Sequence, residues 1–151
     1  MPKAIRRRLY IAYGSNLNLS QMAQRCPTAT AVGTTVMRNW RLMFRGSRGS
    51  AVATIERFHG GKVPVLVWEL QPKDERALDH YEGWPNLYYK KTVRVTLNGK
   101  QVYAMVYIMN EKYPHNQPGG YYYNVIREGY MKAKFDVDIL RKAAEDSKED
   151  D

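Results

Sequence analysis

One short stretch of the sequence combines residue types that could bind a polar ligand through the backbone. The letters "YGSN" at positions 13–16 follow an apolar segment and precede a helical pattern. A strand ending in such a turn presents unpaired backbone N–H groups, and Gly14 permits close approach of a ligand. The turn therefore suits a carboxylate or a carbonyl oxygen, although a plain helix-capping loop explains the same residues locally. Ser15 lies in no G-x-S-x-G motif, so we do not assign it as a nucleophile.

A second stretch, "LDHYEGWPNLYY" at 78–89, places a carboxylate at the end of a predicted helix. Glu82 would lie at the negative end of the helix dipole, which disfavours its charge by roughly 0.3–1 kcal/mol. Aromatic neighbours could also desolvate it, namely Tyr81, Trp84, Tyr88 and Tyr89. Both effects raise the pKa of a carboxyl group towards the range useful to a general base. A solvated glutamate at a helix end remains the alternative interpretation.

Metal, thiol and nucleotide chemistry find no support in the sequence. The three histidines His59, His80 and His115 are far apart and lack metal-site spacing. The single cysteine, Cys26, excludes an internal disulfide, favours a reducing compartment and falls on the apolar side of a short helix. Neither G-x-G-x-x-G nor a P-loop occurs. We therefore expect no metal and no organic cofactor.

The elements that must position these residues are mostly strands joined by turns. Strands are predicted at 8–13, 34–45, 50–57, 62–70, 88–97 and 100–109, with a turn at 59–61. Helices are predicted at 19–26, from Pro72 to just before Gly83, and in the segments 119–135 and 136–147. This order predicts an α+β fold with a small mixed, mainly antiparallel sheet curled into a β-barrel with flanking helices. We expect one domain at 8–145, after a basic extension at 1–7 and before an acidic, frayed tail at 146–151.

Composition narrows the class of protein. With 151 residues, 44% of them hydrophobic and 26% charged, the chain is expected to fold around a single core. It holds no apolar run of about 18 residues and no apolar secretory segment, so we expect a cytoplasmic protein and no membrane partner. The net charge of +9 is scattered, and no RNA-recognition, zinc-finger or helix-turn-helix pattern is present. We therefore do not expect nucleic acid as the principal partner.

Taken together, the two stretches resemble one known family. "YGSNL" after an N-terminal strand, and "LDHYEG" followed by a tyrosine on a strand, are similar to the γ-glutamylcyclotransferase family, including its AIG2-like members. The resemblance runs from about residue 8 to about residue 130. It implies a small mixed barrel with flanking helices, and neither a metal nor an organic cofactor.

The resemblance also implies roles for particular residues. The turn would bind the γ-glutamyl group through Tyr13, Gly14, Ser15, Asn16 and Leu17. The catalytic glutamate of the family falls on Glu82. A tyrosine that follows this glutamate matches Tyr89, with Tyr88 as the neighbouring alternative. A late tyrosine ahead of Gly129 matches Tyr122, with Tyr121 and Tyr123 as looser assignments.

The implied reaction is cyclisation of a γ-glutamyl amide to 5-oxoproline with release of a free amine. The α-amine of the substrate is the nucleophile, so the enzyme supplies a base, Glu82, and groups that hold the substrate. The identity of the amine stays open, and we expect a monomer or a weak homodimer. Two other functions stay open: a non-catalytic binding module for RNA or an acidic partner, and a γ-glutamyl amidohydrolase or transferase.

Overall fold

The computed structural model describes residues 7–148, in which five strands form one sheet. The strands are β1 (Arg8–Ala12), β2 (Thr30–Arg45), β3 (Val52–Leu70), β4 (Tyr88–Leu97) and β5 (Lys100–Met109). Their order across the sheet is β2-β3-β1-β5-β4, and every neighbouring pair is antiparallel except β1 and β5. The helices are α1 (Leu19–Arg25), α2 (Pro72–Tyr81), α3 (Gly120–Lys132) and α4 (Val137–Asp146). The predicted α+β class with a mixed, mainly antiparallel sheet is confirmed.

The short strand β1 lies at the centre of the sheet. Ile11 pairs with Val67 of β3 on one side, and Tyr10 pairs with Met105 of β5 on the other. Helices and strands cover both of its faces, so Tyr10, Ile11 and Ala12 are all buried. A strand buried on both faces is expected to be a continuous apolar run, as this one is. The chain leaves β1 directly into the "YGSN" turn, whose residues Ser15–Leu17 form one turn of 3-10 helix.

The predicted turn at 59–61 is wrong, because β3 continues through it. The register between β2 and β3 shifts between Arg38 and Trp40 of β2, and Asn39, which lies between them, adopts a φ of 67°. Gly60 has a φ of 79°, and its N–H donates to the Asn39 side chain. A Cβ on Gly61 would lie 2.3 Å from the Trp40 carbonyl oxygen. The glycines thus allow a bulge that bends the hairpin without interrupting it.

The sheet curls but is not closed into a true barrel. The edge strands β2 and β4 approach each other, and the Thr35 hydroxyl donates to the Thr96 carbonyl. Within residues 7–148, however, no ladder of backbone hydrogen bonds joins β2 to β4. The predicted closed barrel is therefore corrected to an open, strongly curved sheet.

Helix α2 begins and ends where its sequence signals predict. The Asp74 carboxylate accepts from the Gln71 N–H at 2.9 Å and from the Thr28 hydroxyl, which fixes the first turn. Pro72 occupies the first helical position, and Gly83 follows the helix with a φ of 64°. The helix therefore ends with Glu82 at its C-terminal cap.

A cluster of partly buried charges attaches α2 to the sheet. The Lys90 ammonium lies 2.6 Å from the Glu75 carboxylate and 2.8 Å from the Asp79 carboxylate. Arg8 of β1 also contacts Glu75, at 2.8 Å, and the Tyr107 hydroxyl donates to Asp79 at 2.5 Å. Ion pairs that are partly buried and shared are stronger than isolated surface pairs. The cluster directs the C-terminal end of α2 towards the end of β1.

Helix α3 packs directly on the turn that follows β1. A Cβ on Gly129 would lie 2.7 Å from Leu17 Cβ and 2.8 Å from the Leu17 carbonyl carbon. The Asn18 side chain caps α1 by accepting from Gln21 N–H, and it donates to the Val125 carbonyl of α3. The absence of a side chain at Gly129 lets the backbones of α3 and the turn approach closely, so α3 packs directly against the turn.

The two ends of the chain lie partly outside the described residues. Residues 1–6 of the predicted basic extension and residues 149–151 of the predicted acidic tail are not described. Arg7 forms an ion pair with Glu69 at 2.7 Å. Ser147 is fully buried, and its hydroxyl accepts from the Phe44 N–H at 2.9 Å. Among the described residues, none of the helices is long and apolar enough to span a bilayer.

Substitution of Gly129 tests this close approach. We expect Gly129→Ala to lower the free energy of unfolding by about 1–3 kcal/mol, because the new methyl group overlaps the turn. Gly120→Ala in the same helix is the matched control, since a Cβ there meets nothing within 4 Å. Urea unfolding of both variants measures the difference. Equal stability of the two would contradict the packing described.

Candidate active site

A cavity of about 210 Å³ opens where the end of β1, the end of α2 and the start of β3 meet. Its wall is aromatic and polar at once, because six tyrosines line it: Tyr10, Tyr13, Tyr81, Tyr88, Tyr107 and Tyr122. Gly14, Ser15, Asn16 and Glu82 line it as well. The structure thus brings the two sequence stretches together in one cavity.

Hydrogen bonds to buried groups hold the turn after β1. The Tyr13 hydroxyl donates to the Tyr107 carbonyl at 2.7 Å. The Asn16 side-chain amide donates to the Tyr10 hydroxyl at 2.9 Å, and the Asn16 carbonyl accepts from the Trp68 indole at 3.2 Å. Each bond is buried, where an unsatisfied partner would be costly. The turn is therefore preorganised before any ligand binds.

The backbone of Gly14 is tightly enclosed beside the cavity. A Cβ at this position would lie 3.1 Å from Ala53 Cβ and 3.7 Å from the Tyr122 hydroxyl. Ser15 and Asn16 begin the 3-10 turn, so their N–H groups have no acceptor within it. Leu17 is buried and packs under the turn against Gly129 rather than lining the cavity.

Of the three adjacent tyrosines on α3, the structure places Tyr122 in the cavity. Its hydroxyl accepts from the Ala53 N–H at 2.9 Å, which leaves its own proton available for a second partner. Burial raises the pKa of Tyr122 above its ordinary value, so it stays protonated. Tyr121 is 81% exposed, and Tyr123 does not line the cavity. Helical spacing accounts for the difference, because successive residues point in directions about 100° apart.

On β4 it is Tyr88, not Tyr89, that reaches the cavity. The Tyr88 hydroxyl is buried and donates to the Ala53 carbonyl at 2.6 Å. The Tyr89 hydroxyl donates instead to the Glu111 carboxylate, away from the cavity. Successive residues of a strand face opposite sides of the sheet, so only one of the two tyrosines can line the site. The alternative residue, rather than the matched one, occupies the cavity wall.

Burial raises the pKa of Glu82 from its ordinary value to about 7, and the Arg25 charge opposes this effect. Among residues 7–148, no side chain forms a hydrogen bond or an ion pair with the Glu82 carboxylate. The desolvating groups are Tyr88 and tyrosines of other elements, including Tyr13 and Tyr122. The sequence also suggested Trp84 as a group that desolvates Glu82. Trp84 is instead 43% exposed, and its ring lies under the Lys90 ammonium.

Comparison with known proteins identifies the family. The family described as gamma-glutamyl cyclotransferase, AIG2-like, matches residues 10–128. The chain belongs to this family. It is 30% identical to human gamma-glutamylcyclotransferase over 130 residues, covering 80% of this chain and 69% of the human protein, and 29% identical to the mouse protein over the same shares. A solved structure titled gamma-glutamyl cyclotransferase superposes with a TM-score of 0.81 at 25% identity, covering 91% of this chain and 86% of that one.

The cyclotransferase site contains residues that the sequence interpretation missed. Tyr10 and Tyr107 line the cavity from β1 and β5, and Arg25 contacts the turn from the last position of α1. Alternation along β1 does not single out Tyr10, because the strand is buried on both faces and the adjacent Ile11 also lines the cavity. No local signal reveals Tyr107, because its place depends on the parallel pairing of β5 with β1.

Residues that could ligate a metal are not gathered in this cyclotransferase fold. Among residues 7–148, no three His, Cys, Asp or Glu side chains lie close enough to hold an ion. Cys26 is buried, and desolvation raises the pKa of its thiol to about 12. A protonated, buried thiol is a poor nucleophile, and Cys26 does not line the cavity.

The raised pKa of Glu82 has a consequence for stability. Between about pH 4.5 and pH 7 the unfolded state loses this proton while the folded state keeps it, so stability falls as pH rises through this interval. We expect Glu82→Gln to be more stable than the wild type at pH 8 by about 1–3 kcal/mol, and to lose that gain at pH 4. Urea unfolding at both values measures it. Glu145→Gln is the control, since Glu145 lies on the exposed side of α4 and its surface ion pair with Arg141 contributes little to stability. A gain independent of pH would show that Glu82 ionises normally.

Proposed function

We propose that this chain converts a γ-glutamyl amide into 5-oxoproline and a free amine. The observation that carries the proposal is the environment of Glu82. This carboxylate lies in the cavity formed by the "YGSN" turn, its pKa is raised to about 7, and no cation among residues 7–148 is bonded to it. Perturbed titratable groups in a cavity are typical of catalytic acids and bases. Membership of the gamma-glutamyl cyclotransferase family and similarity to the named human enzyme support the same reaction.

The size of the cavity suits the acyl part of such a substrate. At about 210 Å³ it is smaller than the roughly 300–1,000 Å³ of pockets that hold drug-sized ligands. We assign it to the γ-glutamyl group, with the leaving amine directed towards its opening. The N–H groups of Ser15 and Asn16 and the Ser15 hydroxyl are the donors for the carboxylate of the substrate.

The substrate carries its own nucleophile, and the enzyme moves the proton. The α-nitrogen and the γ-carbonyl carbon are placed to close a five-membered ring, so their effective concentration is high. The Glu82 carboxylate accepts a proton from the α-ammonium, and the free amine attacks the γ-carbonyl carbon. As the bond to the leaving nitrogen breaks, the Glu82 carboxyl returns its proton to that nitrogen. The Glu82 carboxylate then takes the second proton from the ring nitrogen and passes it to the departing amine, so 5-oxoproline keeps one N–H and the amine leaves as an ammonium ion.

The pKa of Glu82 fits both halves of this cycle. The α-ammonium of the substrate stands beside a free carboxylate, so it is a weaker acid than a peptide N-terminus, whose amine titrates at about 8. A carboxyl group with a pKa raised to about 7 narrows the gap to this amine, which lowers the cost of the proton transfer. A carboxyl group at its ordinary pKa would accept the proton much less readily. Burial by the surrounding tyrosines therefore serves catalysis directly.

Tyr122 is proposed to stabilise the charge that develops on the γ-oxygen. Its hydroxyl accepts from the Ala53 N–H and lies beside Gly14, so its proton is free to donate into the cavity. Donors that are already in place before the reaction favour the tetrahedral intermediate over the planar amide. Tyr88, bonded to the Ala53 carbonyl, holds the opposite side of the same peptide segment.

The remaining expectations stay predictions. The state of assembly is predicted to be a monomer or a weak homodimer, and the location cytoplasmic, which the buried free thiol of Cys26 supports. We assign no role to nucleic acid and no role to an organic cofactor.

A product assay tests the role of Glu82. Mass spectrometry of 5-oxoproline is applied over a panel of γ-glutamyl dipeptides and γ-glutamyl amines. We expect Glu82→Gln to lose about 10²–10⁴-fold in kcat, because the amide cannot accept a proton. Glu145→Gln should match the wild type. Release of glutamate instead of 5-oxoproline would identify a hydrolase, and equal activity of the wild type and Glu82→Gln would remove Glu82 from the mechanism.

The neighbouring tyrosines of β4 offer a matched pair of variants. We expect Tyr88→Phe to lower kcat/KM by about 10-fold, since a buried hydrogen bond of about 1–1.5 kcal/mol to the cavity wall is lost. Tyr89→Phe should stay within about twofold, because its hydroxyl faces away from the cavity. Kinetics and thermal unfolding are measured for both. A larger loss for Tyr89→Phe would reverse our assignment of the two side chains.

A further inference from the structure

Arg25 contacts the turn beside the cavity through hydrogen bonds from its guanidinium group. One guanidinium nitrogen donates to Asn16 Oδ1 at 2.5 Å and to Ser15 Oγ at 3.3 Å, and the other donates to Gln21 Oε1 at 2.7 Å. The guanidinium carbon lies 3.8 Å from the centre of the Tyr81 ring. Ser15 and Tyr81 are also in contact with each other through their hydroxyls at 3.3 Å.

We propose that Arg25 is a positioning residue of this enzyme, which fixes Ser15, Asn16 and Tyr81 at the cavity and applies its positive charge to Glu82. The proposal rests on the proposed function, since these are the residues assigned to substrate and proton transfer. Arg25 itself does not line the cavity, so it acts through the groups that do.

Among the described residues, no acidic side chain is bonded to Arg25. Its three hydrogen-bond acceptors, Ser15, Asn16 and Gln21, are all neutral. In the part of the chain that the structure describes, no carboxylate lies within 4 Å of the guanidinium. An unpaired guanidinium that is partly buried keeps more of its field than an exposed one. The positive charge of Arg25 therefore stabilises the Glu82 carboxylate across the edge of the cavity. This interaction opposes the rise in the pKa of Glu82.

The other groups that face Glu82 are uncharged at neutral pH. Tyrosines approach it from β1, from the turn, from β4 and from α3, and burial raises the pKa of each above its ordinary value: Tyr10, Tyr13, Tyr88 and Tyr122. Tyr81 of α2 lines the cavity beside them. Arg25 of α1 is therefore the charged group that balances desolvation of Glu82 within this set.

The arrangement requires arginine rather than any cation. The planar guanidinium bonds three acceptors while its face covers the Tyr81 ring. A lysine ammonium keeps the charge but provides neither the planar fork nor the stacked face. The charge and the geometry can therefore be separated by substitution.

Three variants separate them. Arg25→Met and Arg25→Gln remove the charge, and we expect the acidic limb of the kcat/KM profile to move to higher pH by about 0.5–1 unit. Arg25→Lys should keep the acidic limb of the wild type while KM rises, because Ser15 and Asn16 are no longer held. Arg127→Met, at an exposed arginine of α3, is the matched control and should match the wild type in both quantities.

A second readout needs no turnover. The Glu82 carboxyl is titrated by ¹³C NMR in the unliganded protein, with Glu82→Gln assigning its signal and thermal unfolding confirming that each variant is folded. A higher pKa of Glu82 in Arg25→Met and Arg25→Gln supports the proposal. Should the wild type form no 5-oxoproline, the proposed function fails while this titration still decides the charge effect. An unshifted Glu82 in both neutral variants, or a wild-type KM in Arg25→Lys, overturns the inference.

Discussion

The Glu82 carboxylate lies among tyrosine rings, and within residues 7–148 no cation is bonded to it. Most of the site can be understood from this fact. Desolvation raises its pKa to about 7, which makes ionisation costly at neutral pH. Two of the surrounding hydroxyl groups donate to backbone carbonyls, Tyr13 to that of Tyr107 and Tyr88 to that of Ala53. Neither of these two hydroxyl groups donates to Glu82, which leaves its carboxyl group available for the proton transfer proposed above.

Such a carboxylate stays in place only because the rest of α2 is firmly attached. Lys90 holds Glu75 and Asp79 along the helix, so the energy of these pairs offsets the unfavourable position of Glu82 at its end. On the opposite wall, α3 supports the turn through the contact of Gly129 with Leu17. The cavity therefore lies between two independently anchored elements.

The parts of the structure that could be predicted from the sequence are those whose sequence signals act on residues close by in the chain. The β4–β5 hairpin and the limits of α2 were predicted correctly, because "NG", Pro72 and Gly83 act on their immediate neighbours. The bend opposite Asn39 was mistaken for a turn, since glycine marks bulges and turns alike. The choice between Tyr88 and Tyr89 needed the orientation of a strand, and the contacts of Arg25 needed the packing of α1 on the turn.

The central position of β1 also bears on how the chain folds. This strand precedes every other strand of the sheet in the chain, yet its partners β3 and β5 end at Leu70 and Met109. Pairings of such high sequence separation form late, after the entropy of closing long loops has been overcome. The turn that follows β1 can reach its final geometry only once those strands are in place. Assembly of the site should therefore coincide with completion of the sheet. A nascent chain that ends before β5 would already contain the turn and Glu82, but it would not form the cavity.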